Sequence, residues 1–231
     1  MMASPFIWFA VVAFFFALFA LFRSTVSIGL LERPLVIGLF WALVTGRFET
    51  CMAVAIFFEL FWLDLLPVGT FIPPHLTAAA FAALALTIWF DVVNASKVLI
   101  ILFACMPLAW LGAQLEGVQR MREKKSYNLL LNWSRKPDRA ELPGKLILRS
   151  ALAYFSYSFV LFYLIMIVYV HGLEYLLPKL SPLLSGLKIT WAHLLIAATL
   201  GGVMALRLRR AYAVLFVCAG LVLFFSFRHA F

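Results

Sequence analysis

The sequence predicts an all-α, polytopic membrane protein with roughly seven to nine apolar helical segments, some of them short or re-entrant. An inverted-repeat architecture goes with that expectation. Three observations carry it. The chain of 231 residues is 65% hydrophobic and only 13% charged, with a mean hydropathy of +1.04, outside the usual range of soluble globular domains. Its apolar residues come in runs of membrane-crossing or half-crossing length. In each half, at residues 35–75 and 174–202, short apolar runs are interrupted by Gly and Pro, and paired interruptions of this kind mark the binding region of transporters.

Residues 4–22 form the first apolar run, closed by Arg23. No basic stretch precedes it and no small-residue cleavage site follows, so a retained span is expected rather than a removed leader. A polar interruption then leads to Glu32-Arg33-Pro34, and Pro34 suits the first turn of a helix, where its missing N–H is not needed. Residues 35–45 are apolar but too short to cross alone. Gly46 to Thr50 reads as a turn, and 51–66 returns as a second short arm. The two arms are either a tilted pair of spans or a re-entrant hairpin. The break that follows, 67–75, holds Pro67, Gly69, Pro73 and Pro74, and non-helical backbone at membrane depth survives only where protein or a water-filled cavity surrounds it.

Two further spans are expected at 76–93 and 98–113. Residues 114–133 are loosely amphipathic and basic, suited to lying on the membrane surface, and 137–144 reads as loop. The longest span is 145–170. Residues 171–188, punctuated by Glu174, Pro178, Pro182 and Gly186, read as interfacial or re-entrant. The last spans, 189–206 and 212–227, flank the basic turn Arg207-Leu208-Arg209-Arg210. The whole chain, 1–231, is read as one integral membrane domain containing a basic cytoplasmic loop at 114–145.

The net charge of +9 would suggest nucleic acid in a soluble protein, yet nine of the nineteen Lys and Arg residues lie between Arg120 and Arg149. One basic loop in a polytopic chain is explained by the positive-inside rule, and no nucleic-acid partner is expected. If both basic loops face the cytoplasm, 145–170 and 189–206 form one out-and-back excursion and the C-terminus lies outside. Cys51, Cys105 and Cys218 have no paired spacing and are expected as buried thiols.

An acid at mid-bilayer costs roughly 2.5–3.5 kcal/mol on insertion scales, so an intramembrane carboxylate is a functional candidate by default. Glu59 follows eight uncharged residues. On a helix it shares a face with Trp62 and Leu63, and a carboxylate beside an indole suits a sugar, with its hydroxyls and its C–H face. The competing reading pairs Glu59 with an Arg or a backbone amide in a purely structural role. Asp64 lies about 140° further round an ideal helix and need not converge with it. His75, after Pro73-Pro74, is either a ligand or proton-transfer group or a helix cap. His193 is expected as a satisfied core residue. Neither metal-ligand spacing, nor a nucleophile elbow, nor a phosphate-binding loop is present, so no catalytic residue and no cofactor is expected.

The run RPLVIGLFWALVTGRFETCMAVAIFFELFWLDLLPVGTFIPPH resembles the signature region of the IIC subunit of the mannose/fructose/sorbose family of bacterial phosphotransferase-system permeases. Arg33-Pro34-Leu35, Gly46, Thr50, Glu59, Gly69 and Pro74 fall at the family's spacings. Residues 174–186 and 189–222 resemble its later connector and spans. Departures are Arg47 where the family has Asp, Cys51 and Ala55 in place of glycines, Asp64 in place of a glycine, and His75 in place of the Asp after the proline. The resemblance implies a bacterial inner-membrane, multi-pass subunit that binds a hexose and moves it inward by an elevator-like shift. It further implies an oligomer with a IID membrane subunit, served by soluble IIA and IIB phosphocarriers, with IIB phosphorylating the sugar. Carried onto this chain, the substrate-binding candidates are Glu59, Asp64, Gly69, Pro74 and His75. Two other readings stand beside this one: a diverged, non-transporting membrane sensor or scaffold, and a cation-coupled carrier of small solutes using Glu59 and Asp64.

Overall fold

The computed structural model describes residues 4–26, 29–63, 74–135, 142–185 and 189–205, with two isolated positions at 213 and 217. Among the described residues there are seven α-helices and one 3-10 turn, and no strand. In chain order the helices are α1 (Pro5–Val26), α2 (Pro34–Thr45), α3 (Phe48–Phe61), α4 (Leu76–Trp89), α5 (Ala95–Arg135), α6 (Leu142–Ser185) and α7 (Trp191–Ala205). Three of them, α1, α5 and α6, are long and apolar enough to cross a membrane, while α2, α4 and α7 are shorter apolar helices. The all-helical membrane protein expected from the composition is what the chain forms.

Helix α4 is the centre of the molecule. Every residue from Thr77 to Ile88 is buried, and six of those are alanines, whose small side chains let α1, α2, α3, α5 and α6 all close in on it. Phe81 fills the space the alanines leave, meeting Phe19 at 5.2 Å and Phe16 at 5.9 Å. Such offset and edge-to-face ring pairs are worth about 0.5–1.5 kcal/mol beyond area burial.

The helices define two ends. At one, Gly46 takes the left-handed conformation (φ 73°) and donates its N–H to Ala42 O, reversing α2 into α3. This turn is tied to the α4–α5 turn by Arg47 and Asp91, 2.6 Å apart. The start of α7 lies at the same end, where Ser96 Oγ donates to Ile189 O, and the first half of α1 reaches it through Phe9 and Trp89, 5.5 Å apart. The opposite end holds the N-termini of α2 and α4, the C-terminus of α3 and the basic halves of α5 and α6.

Two expectations are corrected. Residues 114–133 are not a separate surface segment. They continue α5, which is 41 residues long and so about 61 Å, and the expected 114–145 loop is helical up to Arg135 and again from Leu142. Residues 171–185 are not re-entrant but complete α6, with Pro178 and Pro182 inside the helix. A proline removes one backbone bond, and in a membrane setting the remaining backbone has nothing better to pair with than its own helix. The expected span 212–227 and the turn 207–210 lie outside the described residues.

Candidate functional site

Helices α2 and α3 run antiparallel at unusually close range. A Cβ placed on Gly38 would lie 2.3 Å from Ala55 Cβ, so glycine at 38 is what lets alanine occupy 55. That closeness brings the last turn of α3 beside the first turn of α2. The start of α2 has no side-chain cap of its own, and Glu59 supplies one from the neighbouring helix. Its Oε1 accepts from Arg33 Nη1 at 3.1 Å and its Oε2 accepts from the Leu35 amide at 3.5 Å. The carboxylate thus faces an N-terminal dipole and a guanidinium together. It keeps 18% exposure. Trp62, the indole expected on the Glu59 face of α3, stacks on the buried Phe58 at 5.3 Å with planes 7° apart.

His75 sits at the start of α4, only 4% exposed. Its amide donates to Ala109 O at 2.7 Å, pinning it to α5, and its Nδ1 accepts from the Ala78 amide at 3.3 Å. An Nδ1 that accepts carries no proton, so the proton resides on Nε2, which is a donor. Gly112 makes this seat possible, because a Cβ there would lie 2.6 Å from His75 Cβ. The histidine is therefore a cap.

His75 lines a small, half-open cleft of about 40 Å³ between α1, α4, α5 and α6. The floor is apolar, with Phe16, Leu108, Phe162 and Ile165. Phe16 stacks on Phe162 at 4.0 Å and meets the His75 ring at 5.6 Å. The polar wall is Glu116 and Gln119 from α5, with Tyr154, Tyr157 and Ser158 from α6. Glu116 is 11% exposed and binds Arg120 Nη2 at 2.7 Å, while Arg122 lies over the Tyr157 ring at 5.5 Å.

Of the residues singled out in the sequence, the structure places Glu59 in the α2–α3 clamp and His75 in the cleft. Pro74 is half-buried directly before His75. Asp64 and Gly69 lie outside the described residues. Glu59 does not line the cleft. The cleft's own polar groups were missed by sequence reasoning, although two signals were there: an acid just past the apolar run 98–113, and Tyr154, Tyr157 and Ser158 spaced to share one helical face. His193 is corrected from core to surface. It is exposed and receives the Thr190 amide at the start of α7. Cys51 and Cys105 are buried, unbridged thiols as expected, and Cys218 is outside the described residues. Among the described residues no cluster of side chains could hold a metal ion.

Compared with known families, the chain matches the PTS system sorbose-specific IIC component over residues 7–226. No curated protein and no solved structure matches it.

Proposed function

The chain belongs to the family of sorbose-specific IIC components of the sugar phosphotransferase system, and from that premise we propose that it binds a hexose of the mannose/fructose/sorbose class and carries it inward across a bacterial inner membrane. Membership makes it a membrane-embedded sugar-transport subunit that works with other components of that system. The finer assignment is a multi-pass subunit assembled with a IID partner and served by IIA and IIB, with IIB phosphorylating the delivered sugar and no phosphorylated residue on this chain.

The observation that carries the proposal is the depth and setting of Glu59. Helices α2, α3 and α4 have 12 to 14 residues and are therefore about 18–21 Å long, against an apolar layer of roughly 30 Å. Starting from the shared turn end, the ends that carry Arg33, Glu59 and His75 stop about 10 Å short of the far side. Polar groups at that depth belong where protein lines a path.

The clamp orients Glu59 without using it up. Each oxygen has one protein partner, whereas a carboxylate offers about four acceptor positions, so sugar hydroxyls have room to bind an acid that Arg33 holds in place. Trp62, backed by the buried Phe58, supplies the stacking face. Asp64, Gly69, Pro74 and His75 complete the proposed binding set, which straddles the end of α3 and the start of α4.

By the positive-inside rule the basic α5–α6 halves lie in the cytoplasm, where soluble phosphocarriers dock, and the turn joined by Arg47 and Asp91 faces outward. The sensor or scaffold reading draws less support, because Arg47 and His75, which it relied on, have structural partners in Asp91 and the Ala78 amide.

The test is Glu59→Gln in vesicles holding this chain with its IID, IIA and IIB partners. Phosphoenolpyruvate-dependent uptake of a panel of mannose, fructose and sorbose is expected to be abolished while membrane insertion is unchanged. Wild-type uptake in that variant refutes the assignment. Uptake that persists without phosphoenolpyruvate and collapses with the proton gradient would instead establish the cation-coupled carrier.

A further inference from the structure

Arg33 is not among the binding candidates read from the sequence, yet its guanidinium stands beside Glu59 only partly engaged. The cause lies in the order Arg33-Pro34-Leu35. A residue before proline is pushed to extended backbone, and Arg33 has φ −74° and ψ 129°, which keeps it outside the first turn of α2. Pro34 has no N–H, so the Leu35 amide is the first donor the helix can offer. That amide draws Glu59 Oε2 at 3.5 Å, and Arg33 Nη1 is left with Oε1 alone, at 3.1 Å.

A guanidinium and a carboxylate that serve only each other gain most from two parallel bonds. Here the contact is a single one. Of the five N–H donors of a guanidinium, Glu59 takes one, no other side-chain partner of Arg33 is found among the described residues, and the side chain stays 44% exposed. The two groups are chemically complementary toward a third. A carboxylate only accepts and a guanidinium only donates, whereas a hydroxyl does both. Neighbouring hydroxyls on a ring can therefore donate to Glu59 and accept from Arg33 at once. Their opposite formal charges favour a neutral ligand, since an anion would meet Glu59 and a cation would meet Arg33.

We propose that Arg33 is itself a sugar ligand and sets specificity at the Glu59 site, its remaining guanidinium donors binding a hydroxyl adjacent to the one that donates to Glu59. This rests on the transport reading above. The pair then reads two neighbouring hydroxyls, rather than Arg33 merely holding the acid in place.

The experiment measures equilibrium binding to the full chain with its IID partner in lipid nanodiscs. The probes are mannose, fructose and sorbose, and the monodeoxy analogues of whichever binds most tightly. In the wild-type complex, removal of either of two neighbouring hydroxyls is expected to raise Kd about tenfold, the scale of one hydrogen bond to a charged group. Arg33→Lys keeps a positive charge beside Glu59 but not the planar fork. It should weaken the parent sugar about tenfold and erase the penalty at one of the two hydroxyls, while Glu59→Gln erases the penalty at the other. If Arg33→Lys raises Kd for every analogue by the same factor, Arg33 only positions Glu59 and the proposal is overturned. An unchanged Kd for the parent sugar in Arg33→Lys overturns it as well. So does a wild-type complex in which no two neighbouring hydroxyls matter, a result that needs no variant and so no assumption about its folding. In all three cases the transport assignment stands. Failure of the wild-type complex to bind any of the three sugars strikes the transport assignment itself.

Discussion

Three glycines provide a graded test of how α7 sits on α3. A Cβ on Gly202 would fall 2.1 Å from Leu60 O and 3.4 Å from Leu63 Cβ. Carbon–oxygen contacts normally settle near 3.3–3.6 Å, and the oxygen belongs to helix backbone, so Gly202→Ala must push α7 back by roughly 1 Å. Overpacking of this kind costs about 1–3 kcal/mol. Gly172, inside α6, has nothing within 4 Å of such a Cβ, so Gly172→Ala gains only the helix-propensity difference, about 0.5–1 kcal/mol. Because that gain is common to both substitutions, the difference between the two variants isolates the contact at about 1–3 kcal/mol. Gly201→Ala, facing the Phe61 ring edge at 3.4 Å, should fall between them. The assay is denaturant unfolding of the purified chain in micelles, followed by circular dichroism. Leu60 follows Glu59 directly, so Gly202→Ala should also lower sugar uptake while Gly172→Ala should not. A Gly202→Ala variant as stable as Gly172→Ala refutes the close crossing of α7 over α3.

Three further outcomes follow from the same contacts. His75→Asp should keep the α4 cap, since a carboxylate also accepts the Ala78 amide, whereas His75→Ala should lose about 1 kcal/mol; equal unfolding midpoints for the two variants would dismiss the cap. The Arg47–Asp91 pair is 34% and 67% exposed, so a double-mutant cycle should give a coupling of about 0.2–1 kcal/mol, with the charge-swapped pair restoring part of it; a coupling of zero would deny that the two turns are tied. Gly38→Val should break the α2–α3 contact with Ala55 and separate Glu59 from the Leu35 amide, costing about 1–3 kcal/mol and reducing uptake; wild-type stability and uptake would rule out that contact.

Hydropathy made the helical, membrane-embedded class legible, along with most of the apolar segments, because burial in lipid and burial in protein both require continuous apolar length. Segment ends were legible where a residue changes backbone geometry, as at Pro34 and Gly46. Where a residue only weakens a helix, the sequence misled. Pro178 and Pro182 looked like breaks, yet α6 continues through both. The 114–133 stretch was legible as helix but not as an extension of α5, since amphipathicity does not say whether a polar face meets water above a membrane or lipid headgroups along it. For Glu59 the sequence left a ligand and a structural partner as rival readings, and the structure supplies both an Arg and a backbone amide. The cleft was the least legible feature, because residues 16, 75, 116 and 154 meet only through the placement of α4 among its neighbours.

Three of the departures read from the sequence, Arg47, Ala55 and His75, have a common physical logic. Ala55, where the family has glycine, is met by a glycine at 38 that leaves room for it. Arg47, where the family has Asp, is met by Asp91, a non-glycine residue held at φ 52° in the turn opposite. His75, where the family has Asp, still accepts the Ala78 amide through Nδ1, and Gly112 admits its larger ring. Each change preserves a helix end or a helix crossing. None of the three displaces Glu59 from Arg33 or from the start of α2.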